Sequence, residues 1–385
     1  MRGPEGGDIP PPGPRGGSVD DATKKDRSSE GMPPRLAPVV PSWASFDDCA
    51  WSDDGRLIAT IDRDPSVWIW SAADGVLIRR LRLDWTSYPL GCVFAPGGRE
   101  LVIYGMESGL EVRDVSTGRL VHREAPEKGR ITWAGFSPDG ARLIALVEAG
   151  RAFFIDPHGW RRVGTEKFLF GARLWASMSR DGALLAINTG SGDTAIYDVE
   201  GWERRRVIAP GHRDIEACAF LPDSRHLAIL YHRYLGIFDA RTGDHIQGIE
   251  GLPEDTVNFW HMALSPDGRR IALAGCNHQA HHRVWLLSTT DLAHRTLVSA
   301  GHRSVDRVAF SPRGQDLAMA GQTSSVWDLD TLEKRYELSA PFGDVRSCAW
   351  LPSGELLIQV KDPVPSVALW DPASSAPRVV IGPAP

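Results

Sequence analysis

Four zinc-type donors, Cys276, His278, His281 and His282, fall within seven positions, and thiolate plus imidazole is the ligand chemistry of zinc. Their spacing matches no standard finger or hydrolytic pattern, and one loop seldom orients four ligands without supporting hydrogen bonds. No metal is therefore expected, and none of the four is assigned as a ligand. A second set recurs along the chain in short polar stretches: Trp85, Tyr88, Arg130, Arg173, Arg213, Trp260, His261, Arg303, Asp344 and Arg346. Arg and the large aromatics bury area and make forked or directed hydrogen bonds together, the chemistry of partner recognition. No Gly-x-Ser-x-Gly, phosphate loop, His-Glu-x-x-His or paired-carboxylate pattern stands out, so no catalytic residue is assigned and no cofactor is expected.

The elements that carry these residues follow from length and repetition. At 385 residues the chain exceeds the ~250–300 at which single cores stop growing, which asks for several domains or a repeat architecture. Hydrophobic residues at 42% and charged residues at 24% fit a folded soluble protein. A net charge of −6 argues against a dedicated nucleic-acid binder. No run of ~18 apolar residues predicts a membrane span, and the polar, Pro/Gly-rich N-terminus lacks the apolar centre of an export signal. A cytoplasmic location is expected.

The segment Phe136-Ser137-Pro138-Asp139-Gly140 recurs in eight recognisable copies, anchored at Trp51, Phe94, Phe136, Met178, Phe220, Leu264, Phe310 and Trp350. Successive anchors lie 43, 42, 42, 42, 44, 46 and 40 residues apart. Each copy reads as an apolar strand, a tight Pro/Asp/Gly turn and a second apolar strand such as Leu143-Ile144-Ala145. A third strand ends in Trp70-Ser71, Arg113-Asp114, Ile155-Asp156, Tyr197-Asp198, Phe238-Asp239, Trp285-Leu286, Trp327-Asp328 or Trp370-Asp371. A weaker fourth strand completes the copy. Four strands per ~42 residues is the period of a propeller blade.

The Trp327-Asp328 and Trp370-Asp371 pairs, with Gly211-His212 and Gly301-His302, resemble the WD-repeat β-propellers over roughly residues 41–385. The likeness is to a divergent, bacterial-type member with degenerate repeats. The family's His–Asp–Ser–Trp hydrogen-bond tetrad cannot be rebuilt from any repeat; the seventh, with His302, Ser324 or Ser325 and Trp327, comes nearest. The implied fold is all-β, a propeller of four-stranded antiparallel blades, eight of them with seven as the alternative. Arg378–Ile381 is a candidate outer strand for the last blade, and Leu36–Val40 a competitor to close the ring. Residues 1–35 read as a disordered tail and 36–385 as one propeller domain; Met1 and Met32 are both candidate starts.

Cys49, Cys92, Cys218 and Cys348 sit two residues before their anchors, where crowded inner strands want small hydrophobes; they read as packing residues. The third-strand aromatics read as cement between blades. The function the resemblance implies is a non-catalytic scaffold or adapter binding a protein or peptide on the loop face, through the ten recognition-type residues from Trp85 to Arg346. The alternative is a propeller enzyme, hydrolase or lactonase-like, or a small-ligand or metal-binding protein using the central funnel. Neither nucleic acid nor membrane is expected as a partner, and a monomer is.

Overall fold

Each repeat folds into its own antiparallel sheet because its apolar runs are buried on both faces while its turns are built to reverse the chain. The computed structural model describes residues 46–381, apart from 63–64, 86–88, 106–108, 126–128, 138, 149, 168–175, 189–191, 202, 210, 212–214, 232–233, 251–255, 278–280, 302–303, 323, 339–343, 352, 363–365, 372–373, 375–376 and 378. The tail expected over 1–35, and Leu36–Val40, lie outside the described residues. The chain partitions into Met1–Pro33 and Pro34–Pro385, and every described strand belongs to the second part.

Blade 1 is β1 (Phe46–Trp51), β2 (Leu57–Asp62), β3 (Ser66–Ser71) and β4 (Leu77–Arg82); blade 2 is β5 (Pro89–Phe94), β6 (Glu100–Gly105), β7 (Leu110–Asp114) and β8 (Leu120–Glu124). Blade 3 is β9 (Ile131–Phe136), β10 (Leu143–Val147), β11 (Arg151–Asp156) and β12 (Arg161–Lys167); blade 4 is β13 (Ala176–Met178), β14 (Leu184–Asn188), β15 (Thr194–Asp198) and β16 (Arg204–Ile208). Blade 5 is β17 (Ile215–Phe220), β18 (His226–Tyr231), β19 (Tyr234–Asp239) and β20 (His245–Glu250); blade 6 is β21 (Thr256–Leu264), β22 (Arg270–Asn277), β23 (His282–Ser288) and β24 (His294–Gly301). Blade 7 is β25 (Val305–Phe310), β26 (Asp316–Gly321), β27 (Ser325–Asp328) and β28 (Glu333–Glu337); blade 8 is β29 (Asp344–Trp350), β30 (Leu356–Asp362), β31 (Ser366–Trp370) and β32 (Val379–Ile381). Every sheet holds four consecutive strands in chain order. The eight blades form a ring, an eight-bladed β-propeller with no helix among the described residues.

Strand alternation explains the unbroken apolar runs. In β10, Leu143, Ala145 and Val147 pack toward blade 2 while Ile144 and Leu146 pack toward blade 4, all five fully buried. One such apolar cluster lies at each blade junction. The cluster joining Ile58, Trp68 and Trp70 to Leu351, Leu357, Val367 and Leu369 closes the ring. Blade 8 keeps its own outer strand, β32, which pairs with β31, so closure rests on packing of side chains between complete blades. Inner strands of successive blades touch directly at most junctions, in keeping with the small residues before the anchors. At one of them, Ser177 Oγ accepts the Phe220 N–H at 3.0 Å across the junction of blades 4 and 5.

In blades 1, 3, 4 and 6 the first hairpin is sealed by a Ser-x-Asp device. Ser52, Ser137, Ser179 and Ser265 each donate their hydroxyl to the Asp two residues on at 2.6 Å. Each Ser Oγ also accepts the backbone N–H five residues ahead. The short polar side chains thereby complete the turn's hydrogen bonding. In several blades the glycine of this turn adopts left-handed backbone and packs against the preceding blade. At Gly140 (φ +70°) a Cβ would lie 2.7 Å from Pro96 Cγ, and at Gly268 it would collide with Pro222. Blade 8 departs from this plan. Its hairpin returns by Leu351 N–H to Glu355 C=O, four residues apart where the other blades span five. A Cβ on Gly354 would meet no atom of the neighbouring blade.

Third-strand aromatics face the preceding blade. Trp70, Tyr197, Phe238, Trp327 and Trp370 all do so. Blade 6 corrects the expectation drawn from the repeat. Leu287, rather than Trp285, lies opposite Ile271 in the register that sets Trp70 opposite Ile58 and Phe238 opposite Leu227. β22 and β23 are longer than most of their counterparts, and Trp285 sits one pleat earlier, opposite Leu273. It is still fully buried and packs against blade 5.

Each of the first seven outer strands carries a bulge against its third strand. The extra residue is Ile78, Val121, Val163 or Ile246 in blades 1, 2, 3 and 5, and these side chains are 43–51% exposed. In blades 4 and 7 it is Arg205 or Arg335, which folds back onto Asp198 or Asp328.

Candidate functional site

The Asp that ends most third strands is a turn former. Asp239 Oδ1 accepts the N–H groups of Arg241 and Thr242, and its Oδ2 receives Arg225 Nε at 2.7 Å. Burial alone would raise its pKa; the arginine and backbone donors outweigh that and hold it at about 2. Asp328 is likewise held at about 2, by the Thr331 N–H and Arg335.

In blade 2 the aromatic position is Arg113, and its environment is rebuilt accordingly. Glu111, two residues earlier on the same side of β7, is fully buried. It receives Arg113 Nε at 2.8 Å and Nη2 at 2.6 Å, Trp85 Nε1 at 2.9 Å, and Arg123. Burial opposes its charge, but the Trp85 and Arg113 bonds win and keep its pKa below the ordinary value. Trp85, an expected contact residue, is therefore a buried member of the blade 1–2 core. Blade 7 builds the same spacing from neutral groups: Trp327 Nε1 donates to Ser325 Oγ at 2.9 Å. Blade 1 adds a second link of this kind, Trp70 Nε1 to Thr60 Oγ1 at 2.9 Å. Both are Trp–hydroxyl hydrogen bonds, one within β27 and one between β3 and β2.

The junction of blades 6 and 7 gathers Trp260, His261 and His282 onto one edge of β25. Trp260 Nε1 donates to Val305 C=O at 3.0 Å; His282 Nδ1 accepts the Val305 N–H and His261 Nδ1 the Val308 N–H, both at 3.4 Å. The Trp260 and His282 rings lie 5.0 Å apart. Burial and the neighbouring Arg307 lower the pKa of His261 to about 4, so it stays a neutral acceptor. Trp260 and His261 are thus engaged in holding two blades together.

Arg130 pairs with Glu148 at 3.0 Å, each about one-third exposed. Asp344 and Arg346 belong to β29, Asp344 opposite Asp362, with their side chains outside what is described. Tyr88, Arg173, Arg213 and Arg303 lie outside the described residues. Of the four zinc-type donors, Cys276 and His282 face each other across β22 and β23, and His278 is outside the described residues. Among the described residues no group of three or more His, Cys, Asp or Glu is placed to hold a metal. Burial raises the Cys218 and Cys348 thiols to about 12, in keeping with packing roles.

Beside the short blade 8 hairpin lies a cavity of about 540 Å³ between blades 7 and 8. Trp350, Tyr336, Arg313, Gln315, Asp316 and Asp371 line it. Desolvation raises the Asp316 pKa against the pull of Arg335. Nothing in the repeat spacing announces this cavity except the last turn itself, which is one residue short.

No protein-family model matches the chain. Protein HIR1 of Cryptococcus neoformans var. neoformans serotype D, in strains JEC21 and B-3501A, is 28% identical over 137 residues in an alignment that covers 32% of this chain. The aligned stretch spans 15% of the length of these curated relatives. Fold and distant similarity together fit a WD-repeat-like β-propeller. No helix among the described residues is long and apolar enough to cross a membrane.

Proposed function

We propose that the protein is a non-catalytic scaffold that binds a protein or peptide partner. The observation that carries this reading is how the chemically capable side chains are used. Glu111, His261, His282 and the third-strand aspartates are each committed to hydrogen bonds that close a turn or join two blades. What the ring leaves to the outside is a rigid surface presented by eight blades, the property an adapter needs. The distant likeness to a WD-repeat protein supports the same reading. The proposed partner surface is the loop face, with Arg130, Arg213, Arg303 and Arg346 as the residues to test, since Trp85, Trp260 and His261 are engaged within the fold.

The test is affinity capture from the native host with wild type and a variant carrying Ala at those four arginines. A stoichiometric partner retained by wild type and lost by the folded variant supports the scaffold and its loop face. Absence of any partner, with turnover of a lactone or ester panel by wild type, overturns it.

A further inference from the structure

The circumference of the propeller is electrostatically uneven. The outer strands of blades 1–4, β4, β8, β12 and β16, carry ten Lys or Arg against two Glu, on a chain whose net charge is −6. The outer strands of blades 5–8 carry three of each sign. Half of these cations are used within the fold: Arg79 Nε donates to Val115 C=O of the next blade at 3.2 Å, Arg80 lies over the Trp68 ring, and Arg123, Arg162 and Arg205 pair with Glu111, Glu124 and Asp198. Arg82, Arg161 and Arg204 are exposed.

Exposed apolar residues coincide with this charge. Every large hydrophobic side chain exposed among the described residues lies on, or beside, the outer strand of blades 1–5. Leu120 is 45% and Val207 42% exposed, in addition to the outward bulge residues of blades 1–3. Two independent features, cationic excess and apolar exposure, therefore mark the same arc of the rim.

We infer that this arc docks an acidic segment of a partner protein whose carboxylates alternate with apolar side chains. The inference deepens the scaffold reading and rests on it. Charge complementarity selects an acidic partner and steers its approach. Interleaved Ile and Val select a polypeptide over a nucleic acid, because a phosphate backbone offers apolar side chains nothing to bury. The bulges break the edge ladder, so recognition runs through side chains across neighbouring blades instead of through addition of a strand. The chain's own residues 1–35 carry equal numbers of acidic and basic side chains and lack the charge to fill this role.

The experiment uses a fluorescein-labelled peptide repeating Asp-Val-Glu-Ile, its Asn/Gln counterpart and a DNA duplex, read by anisotropy at low and physiological salt. The proteins are wild type, a rim variant (Arg82→Glu, Arg161→Glu, Arg204→Glu), an apolar variant (Ile78→Ser, Val121→Ser, Val163→Ser) and the four-arginine loop-face variant, each checked by circular dichroism. The expected result is binding of the acidic peptide by wild type and the loop-face variant alike. Affinity should fall about tenfold or more in the rim variant and about threefold in the apolar one. No binding by wild type, equal binding by the rim variant, or preference for DNA without an effect of the apolar variant overturns the inference. So does a salt-dependent dimer of the chain alone that the rim variant abolishes. A native partner still captured by the rim variant would remove the arc while leaving the scaffold reading standing.

Discussion

Glu111→Ala is the sharpest probe of how this ring is held together. Glu111 is fully buried, and Arg113 on the same strand is only 11% exposed. Removing the carboxylate strands a guanidinium between blades and leaves the Trp85 N–H without its acceptor. Breaking a buried pair on one side costs about 3–5 kcal/mol, and the orphaned indole donor accounts for about 1–3 of it. Arg123, 45% exposed, regains water and adds little. Urea unfolding followed by tryptophan fluorescence should therefore show a lower midpoint at unchanged slope. Glu111-Val112-Arg113-Asp114 and Ser325-Val326-Trp327-Asp328 are the same strand segment in blades 2 and 7, so Glu111→Ser with Arg113→Trp installs the neutral version. Exchange of a buried ion pair for packed neutral groups is often neutral or stabilising, and the double variant should recover most of the loss. A loss below about 1 kcal/mol for Glu111→Ala, or a double variant no more stable than the single, would refute the assignment of Glu111 as the ion holding blades 1 and 2 in register.

Trp70→Ala should cost about 3–5 kcal/mol through its cavity at the ring closure, and more than Trp327→Ala, whose ring is only partly buried; thermal unfolding of the pair checks the order. His261 binds fewer protons folded than unfolded between its lowered value of about 4 and the ordinary 6.5. Its contribution is therefore complete above 6.5 and lost as pH falls toward 4; His261→Gln should flatten that part of the stability profile, as read from unfolding midpoints against pH. Asp239 and Asp328 act lower, their stabilisation present above the ordinary carboxylate value of 3.8 and lost as pH falls through about 2. Asp239→Asn should weaken the acid dependence in that window while shifting the midpoint at neutral pH downward.

The blade count, the strand order and the apolar character of the second strand were legible in the sequence, because period and turn chemistry are local properties of the chain. Residues such as Leu143 to Val147 must be buried on both sides, and a repeat with two apolar faces can satisfy them only by stacking on copies of itself. The packing role of Cys92 and Cys348 followed from the same crowding at the inner strands. What the chain alone left open was decided by where side chains meet across blades. Arg113 reads as a loss of the aromatic until Glu111 and Trp85 are seen around it. Trp260 and His261 read as contact residues until β25 of the next blade takes up their hydrogen-bonding groups. The missing residue in the last hairpin is a single letter in sequence, while the cavity beside it exists only where the turns of blades 7 and 8 come together. The cationic arc, spread over four strands some forty residues apart, exists only because the ring sets those strands side by side.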